Sequence, residues 1–266
     1  MEIVGGMRTL LICHQDEVLN RVAMARWLAS FSDLTGVVVI REEASRMRAR
    51  IKREIKRIGV VRFLDVLAFR LYYKLKLAAA DAEKEEKLLR TLEAKYPPHG
   101  APELITPSPN SAEAQKFIGD AGPDIMIARC KTLLAERIFS IPKIGTFVMH
   151  PGVCPEYRNA HGCFWALAQR DMDRVGMTLL RIDKGVDTGP VFGYFTYPYD
   201  ERNESHILIQ DRVVFDNLDA IQKKLEEIYR GEAQTISTEG RSSAAWGQPW
   251  LTRYLAWKRA AARETR

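Results

Sequence analysis

Two short stretches carry residue types that can do proton chemistry together. FVMHPGVCPEYRNAHGC (147–163) sets His150 after an apolar run and before a proline that turns the chain, with His161 in the same loop. RIDKGVDTGPVF (181–192) sets Asp187 between Gly185 and Gly189. A carboxylate facing an imidazole raises its affinity for a proton, so the pair can serve as general acid and base. By spacing alone, His150 is equally a hydrogen-bonded structural histidine and Asp187 equally a turn former. The set His150, Cys154, His161 and Cys163 matches no common zinc spacing, so no metal is expected.

These residues need a frame that ends strands where they stand. RTLLICHQ (8–15), TGVVVIREE (35–43), LIT (104–106), PDIMIARC (123–130) and GTFVMH (145–150) read as short buried strands. VGMTLLRI (175–182) and VFGYFTYPYD (191–200) follow them. Helical spacing fills the intervals, as at Val18, Val22, Ala25, Leu28 and Phe31, and Asn110 or Ser111 suits the cap of a helix over Ser111–Gly119. The pattern predicts an α/β domain over 1–200, with ligands beyond the carboxyl ends of its strands. His150 sits at such an end, and the Asp187 turn follows strand 175–182. A helical insertion covers about 45–96, with an apolar stripe of Ile51, Ile55, Ile58, Val61, Leu64 and Leu67 beside a basic face. The remainder, 201–266, is one long helix over 206–230 and a tail rich in tryptophan and basic residues.

HPGVCPEYR, FWALAQRD, VGMTLLRID and KGVDTGPVF, in that order, resemble the folate-dependent formyltransferase family, and the likeness runs from about Pro123 to Pro198. The resemblance implies a Rossmann-like α/β formyltransferase fold with a mostly parallel sheet, here carrying the basic insertion and a short C-terminal extension. It implies 10-formyltetrahydrofolate as formyl donor and a primary amine as acceptor. His150 would stabilise the oxyanion and donate a proton; Asp187 would keep His150 charged and collect protons through water. The folate would lie between Cys130, Lys131, Thr132, Leu133 and Leu134 on one loop and Ile182, Asp183, Lys184, Gly185 and Val186 on the other.

The departures narrow the expectation. The family carries Asn-x-His before the proline, and this chain has Val148-Met149-His150. Valine has no donor, and loss of one oxyanion contact costs about 2.7–4 kcal/mol in other enzymes. Asn159 or His161 is expected to stand in, with Arg129 and Lys131 on the neighbouring strand end as further donors. CHQDEVLN (13–20) has no glycine and places Asp16 and Glu17 where a phosphate loop would stand, which argues against a phosphorylated glycinamide acceptor. The tail after Gly231 is too short for a tRNA-gripping domain, so a small-molecule amine is expected, with a nucleotide-linked amino sugar first. The Phe164-Trp165 pair is similar to the amino-sugar branch and equally suits helix packing. Two alternatives stay open: altered one-carbon chemistry, such as donor hydrolysis or carbamoyl-like transfer, and an inactive binding homologue.

Charge and composition bound the partners. The 266-residue chain has a net charge of +6, and residues 41–76 alone hold twelve Lys/Arg against four acids, so the rest is slightly acidic. That argues against a protein built around nucleic acid and leaves a membrane-surface or acidic-partner contact through 41–76, or a homodimer, as the expected associations. The apolar runs are too short to span a membrane, the start does not read as a signal peptide, and a cytoplasmic location is expected.

Overall fold

The computed structural model describes residues 6–42, 51–52 and 54–263. Seven strands form the main sheet: β1 (Arg8–His14), β2 (Asp33–Ile40), β3 (Glu103–Thr106), β4 (Ile125–Arg129), β5 (Gly145–His150), β7 (Met177–Arg181) and β8 (Val191–Phe195). Two short strands, β6 (Arg158–Asn159) and β9 (Ala245–Trp246), pair separately. The main order is β3-β2-β1-β4-β5-β7-β8, parallel from β3 to β5. The central strands are runs of Leu, Ile and Val because both faces are covered. Leu11, Val37, Val39, Ile127, Phe147 and Met149 enter the larger core, and Leu10, Ile12, Val38, Ile40 and Met126 enter the one opposite.

β7 departs from the expected geometry. It runs antiparallel to β5, pairing Phe147 with Arg181 and His150 with Thr178, so its carboxyl end lies near the start of β5. Asp187 therefore reaches the carboxyl end of β5 only because residues 182–189 double back about 10 Å, three residues along the strand. The loop is closed at its base, where the Arg181 amide donates to the Pro190 carbonyl at 3.0 Å. Gly189 makes that closure: a Cβ there would lie 1.8 Å from the Arg181 oxygen.

The insertion forms helices Val60–Lys76 and Ala78–Lys95, while its residues 43–50 and 53, with Arg46, Arg48, Arg50 and Arg53, lie outside the described residues. The expected stripe does not continue through it. Gly59, at φ +81°, precedes the Val60–Lys76 helix, and from there Phe63, Val66 and Phe69 face the core while Val61, Leu64 and Leu67 are exposed. Aromatic area decides the rotation: Phe69 lies 5.0 Å from both His206 and Tyr254 and 6.1 Å from Phe164, centroid to centroid.

Ser111 caps the Ala112–Ala121 helix, accepting from the Ala114 amide at 3.1 Å. The expected helix 206–230 is two, His206–Phe215 and Leu218–Tyr229. At the break, the Asn217 amide donates to the Val213 and Thr196 carbonyls, a side-chain substitute for the helical ladder. Among the described residues no helix is long and apolar enough to cross a membrane.

The tail returns to the sheet's end. Trp257 is buried in the larger core, its indole donating to Glu201 at 2.9 Å. Trp246 stacks on Trp165 at 4.7 Å and on Tyr157 at 5.8 Å. Arg241 forks onto Glu156 at 2.7 and 3.0 Å, and β9 pairs with β6 inside the His150–His161 loop.

Candidate active site

Strand alternation puts Val148 and His150 on one face of β5 and Phe147 and Met149 on the other. His150 is buried, 5% exposed, with Nε2 at 2.7 Å from the Tyr157 carbonyl and Nδ1 at 3.6 Å from Asp187 Oδ2. A carbonyl only accepts, so Nε2 carries a hydrogen. A carboxylate only accepts as well, so a hydrogen on Nδ1 suits Asp187. At 3.6 Å that contact is longer than a hydrogen bond, so Nδ1 is not tied to Asp187 as Nε2 is to Tyr157. The loop can approach the ring because Gly152 meets Gly162: a Cβ on Gly152 would lie 2.7 Å from His150 Nε2 and 2.9 Å from the Gly162 Cα.

Asp187 adopts φ +51°, in the left-handed region that non-glycine residues rarely use, and so do Asn159 (+77°) and His161 (+56°). The site thus gathers three such residues. Asp187 Oδ2 accepts the Asn159 backbone N–H at 2.8 Å, and Arg158 holds the Val186 carbonyl at 2.8 Å. The Asn159 side-chain amide is spent on the Trp246 carbonyl. Asn159 thus orients Asp187 through its backbone, and its amide does not face His150.

His161 turns toward helix His206–Phe215, its ring 5.7 Å from His206. Burial, with Lys131 and Arg70 nearby, lowers its pKa to about 4, so the ring is neutral. Its Nδ1 is buried with no hydrogen bond among the described residues. Neither expected stand-in therefore lies at position 148. Val148 instead packs with Cys154, Leu180, Val191 and Tyr194. Phe164 and Trp165 are core residues, 0% and 3% exposed.

A second polar group lies across the sheet's end. Arg129 donates to Asn20 at 3.0 Å and to the Met149 carbonyl, which ties it to the residue before His150. Glu17, read by sequence as an anion-repelling residue, is paired with Lys131 at 2.7 Å and with Asn20 at 2.8 Å. Burial alone would raise its pKa, but Lys131 and these bonds hold it lower than usual. Asp211 was not singled out by sequence. Burial first, and Glu85 second, push its carboxyl up to about 7. Asp211 and Glu85 make no hydrogen bond or ion pair among the described residues.

The two loops assigned to folate come together. Lys184 pairs at 3.1 Å with Glu136, two residues beyond the first loop, and the Lys131 amide donates to His14 of β1 at 3.0 Å. Leu133 is 69% exposed, and the amides of Thr132, Leu133 and Leu134 donate to nothing among the described residues. Cys130, Lys131 and Ile182 to Val186 complete this rim. The residues present fit a pterin held by backbone groups.

Comparison with known proteins agrees with this architecture. The family model described as formyl transferase matches residues 78–223. A methionyl-tRNA formyltransferase of Thermotoga sp. (strain RQ2) is 32% identical over 94 residues, which is 35% of this chain and 30% of that protein, so the likeness spans under a third of the relative's length. Among solved structures, a phosphoribosylglycinamide formyltransferase of Anaplasma phagocytophilum matches with TM-score 0.55 at 13% identity, covering 91% of this chain and 99% of that one. A sugar N-formyltransferase of Shewanella sp. matches with TM-score 0.53 at 12% identity, covering 96% and 87%. At such identities the structures speak for the fold alone. With its motif-bearing segment inside a family match that covers more than half its length, the chain belongs to the formyl transferase family.

Proposed function

We propose that this chain transfers the formyl group of 10-formyltetrahydrofolate to the primary amine of a small molecule, a nucleotide-linked amino sugar being the first acceptor to test and an amino-acid-derived amine the second. The observation that carries the reading is the buried His150 ring held between the Tyr157 carbonyl and Asp187. The bound donor supplies a formyl carbon open to attack by an amine. His150 offers its Nδ1 proton first to the negative charge that grows on the formyl oxygen, then to the donor nitrogen as its bond to carbon breaks. Asp187 balances the imidazolium and takes up, through water, the proton that the amine sheds as its bond to carbon forms. The half-buried carboxyls of Asp211 and Glu85, both with raised proton affinity, are candidate hydrogen-bond partners for an acceptor amine, which attacks in its neutral form. A tRNA acceptor is not part of this reading. The reaction is assigned to the cytoplasm, where four unpaired thiols stay reduced.

Val148 favours one competing reading, hydrolysis of the donor, because among the described residues neither Asn159 nor His161 takes the place of the asparagine amide on that face. A single-turnover assay with an amine panel separates the two. Formylated amine in step with tetrahydrofolate release supports transfer. Formate release without amine incorporation supports hydrolysis, and absence of folate binding at high micromolar concentration removes both.

The apolar packing of Val148 predicts the outcome of Val148→Asn. An amide placed among Cys154, Leu180 and Val191 lowers stability by about 1–3 kcal/mol without raising turnover. Urea titration and the single-turnover rate check it, and a rate gain of about tenfold, or about 1.4 kcal/mol off the barrier, would show that the position is still an oxyanion site.

A further inference from the structure

Six of the ten exposed large apolar side chains among the described residues lie on one helix. Along Val60–Lys76, Val60, Val61, Leu64, Leu67, Leu71 and Leu75 are 42–83% exposed. Steps of three and four residues align Val60, Leu64, Leu67, Leu71 and Leu75 on one side, with Val61 at its margin. Phe63, Val66 and Phe69 are buried on the other side. The helix therefore has two apolar faces, and among the described residues only one is covered. Scattered exposed leucines need no explanation, but a continuous stripe of this kind marks a contact surface.

The charges beside the stripe select the partner. Lys74 and Arg70 lie along one margin of the stripe and Lys76 beyond the other, all exposed, whereas Arg62 is on the opposite side, over the Trp250 ring at 5.3 Å; the helix's one acid, Asp65, is taken by the amide and hydroxyl of Thr252. Helix Leu251–Arg263, which packs alongside, adds exposed Arg253, Arg259 and Arg263 and carries no acid. Arg253 and Arg62 line one groove with Val61. The acids of the next helix, exposed Glu83 and Glu86, begin beyond Leu77 and limit the surface at that end.

We propose that this face docks the protein on an anionic lipid surface, the leucines and valines entering the headgroup boundary and the flanking cations meeting acidic headgroups. A second copy of the chain would bring two cationic rims together, and a neutral apolar partner would leave those cations without counter-charge. The inference is independent of the reaction assigned above.

Flotation with vesicles tests it. The full chain should float with phosphatidylcholine vesicles containing phosphatidylglycerol and stay behind with phosphatidylcholine alone. Leu64→Glu with Leu71→Glu should abolish flotation while leaving the melting temperature unchanged, since both side chains are exposed. Lys74→Gln with Lys76→Gln should weaken binding about 30-fold, from about 1 kcal/mol per cation at an anionic surface. The proposal is overturned if the chain ignores anionic vesicles, if it binds neutral ones equally, or if the leucine variant floats like the parent. It is also overturned if sedimentation without lipid reveals a dimer that the leucine variant breaks, because a second copy then owns the face.

Discussion

His150→Ala is expected to lower the rate of formyl transfer by about 10²–10⁴-fold, the usual contribution of a positioned acid-base residue. The substitution removes a ring whose one nitrogen is anchored to the Tyr157 carbonyl and whose other faces Asp187, so the loss falls on the chemical step. Folate affinity should change little, because the expected pterin contacts come from residues 130–134 and 182–186. Asp187→Asn is the companion measurement. The amide keeps the size but not the charge, and the Asn159 N–H that the carboxylate accepts at 2.8 Å can still bond to the amide oxygen. The rate of this variant should fall steeply. Equal single-turnover rates for parent and His150→Ala would remove the mechanism.

Asp211→Asn is expected to stabilise the protein at neutral and alkaline pH and to weaken acceptor binding. Burial and Glu85 raise the Asp211 carboxyl to about 7 in the fold, from 3.8 in the open chain. The folded state therefore keeps a proton that the unfolded state has released. Stability from this group is fully present below pH 3.8 and is lost as pH rises through about 7. Asparagine never ionises, so the variant's advantage should be absent near pH 4 and complete above pH 7. Each tenfold difference in proton affinity between the two states is worth about 1.4 kcal/mol. Discounted for partial exposure, the gain is about 2–4 kcal/mol. Urea unfolding at pH 4, 6 and 8 measures it. The same change should raise the KM for the amine with little effect on folate binding. A variant with no stability gain at pH 8 would show that Asp211 is not held in a desolvated, acid-rich setting.

The parts legible in the sequence are those whose pattern has one physical solution. LLIC, VVVI and IMIA are short apolar runs with β-branched residues, and only strands covered on both faces bury them whole. The glycine-framed Asp187 reads as a turn residue, and it is one. Strand direction left no such mark: VGMTLLRI has the same pattern whichever way it runs, so the doubling back of residues 182–189 was hidden. The Val60–Lys76 helix carries two apolar faces, and helical spacing alone cannot tell which one the core takes. The orientations of Asn159 and His161 depend on Trp246, Gln210 and Gln248, residues 49 or more positions away along the chain. Asp211 looks like the solvent side of an amphipathic helix until Glu85 and Arg129 are brought against it.

The pairing of β6 with β9 also bears on how the protein is made. Asn159 leaves the ribosome 87 residues before Trp246, the partner that holds its amide. At 5–20 residues per second, that interval lasts about 4–17 s. Through it the nascent chain already owns β5 and His150, but the loop that aims Asp187 has no brace. The site is assembled around β5 and locked by a segment made 87 residues later. A ribosome-stalled chain ending near residue 235 should therefore be cut by protease within 152–162, while the finished protein resists.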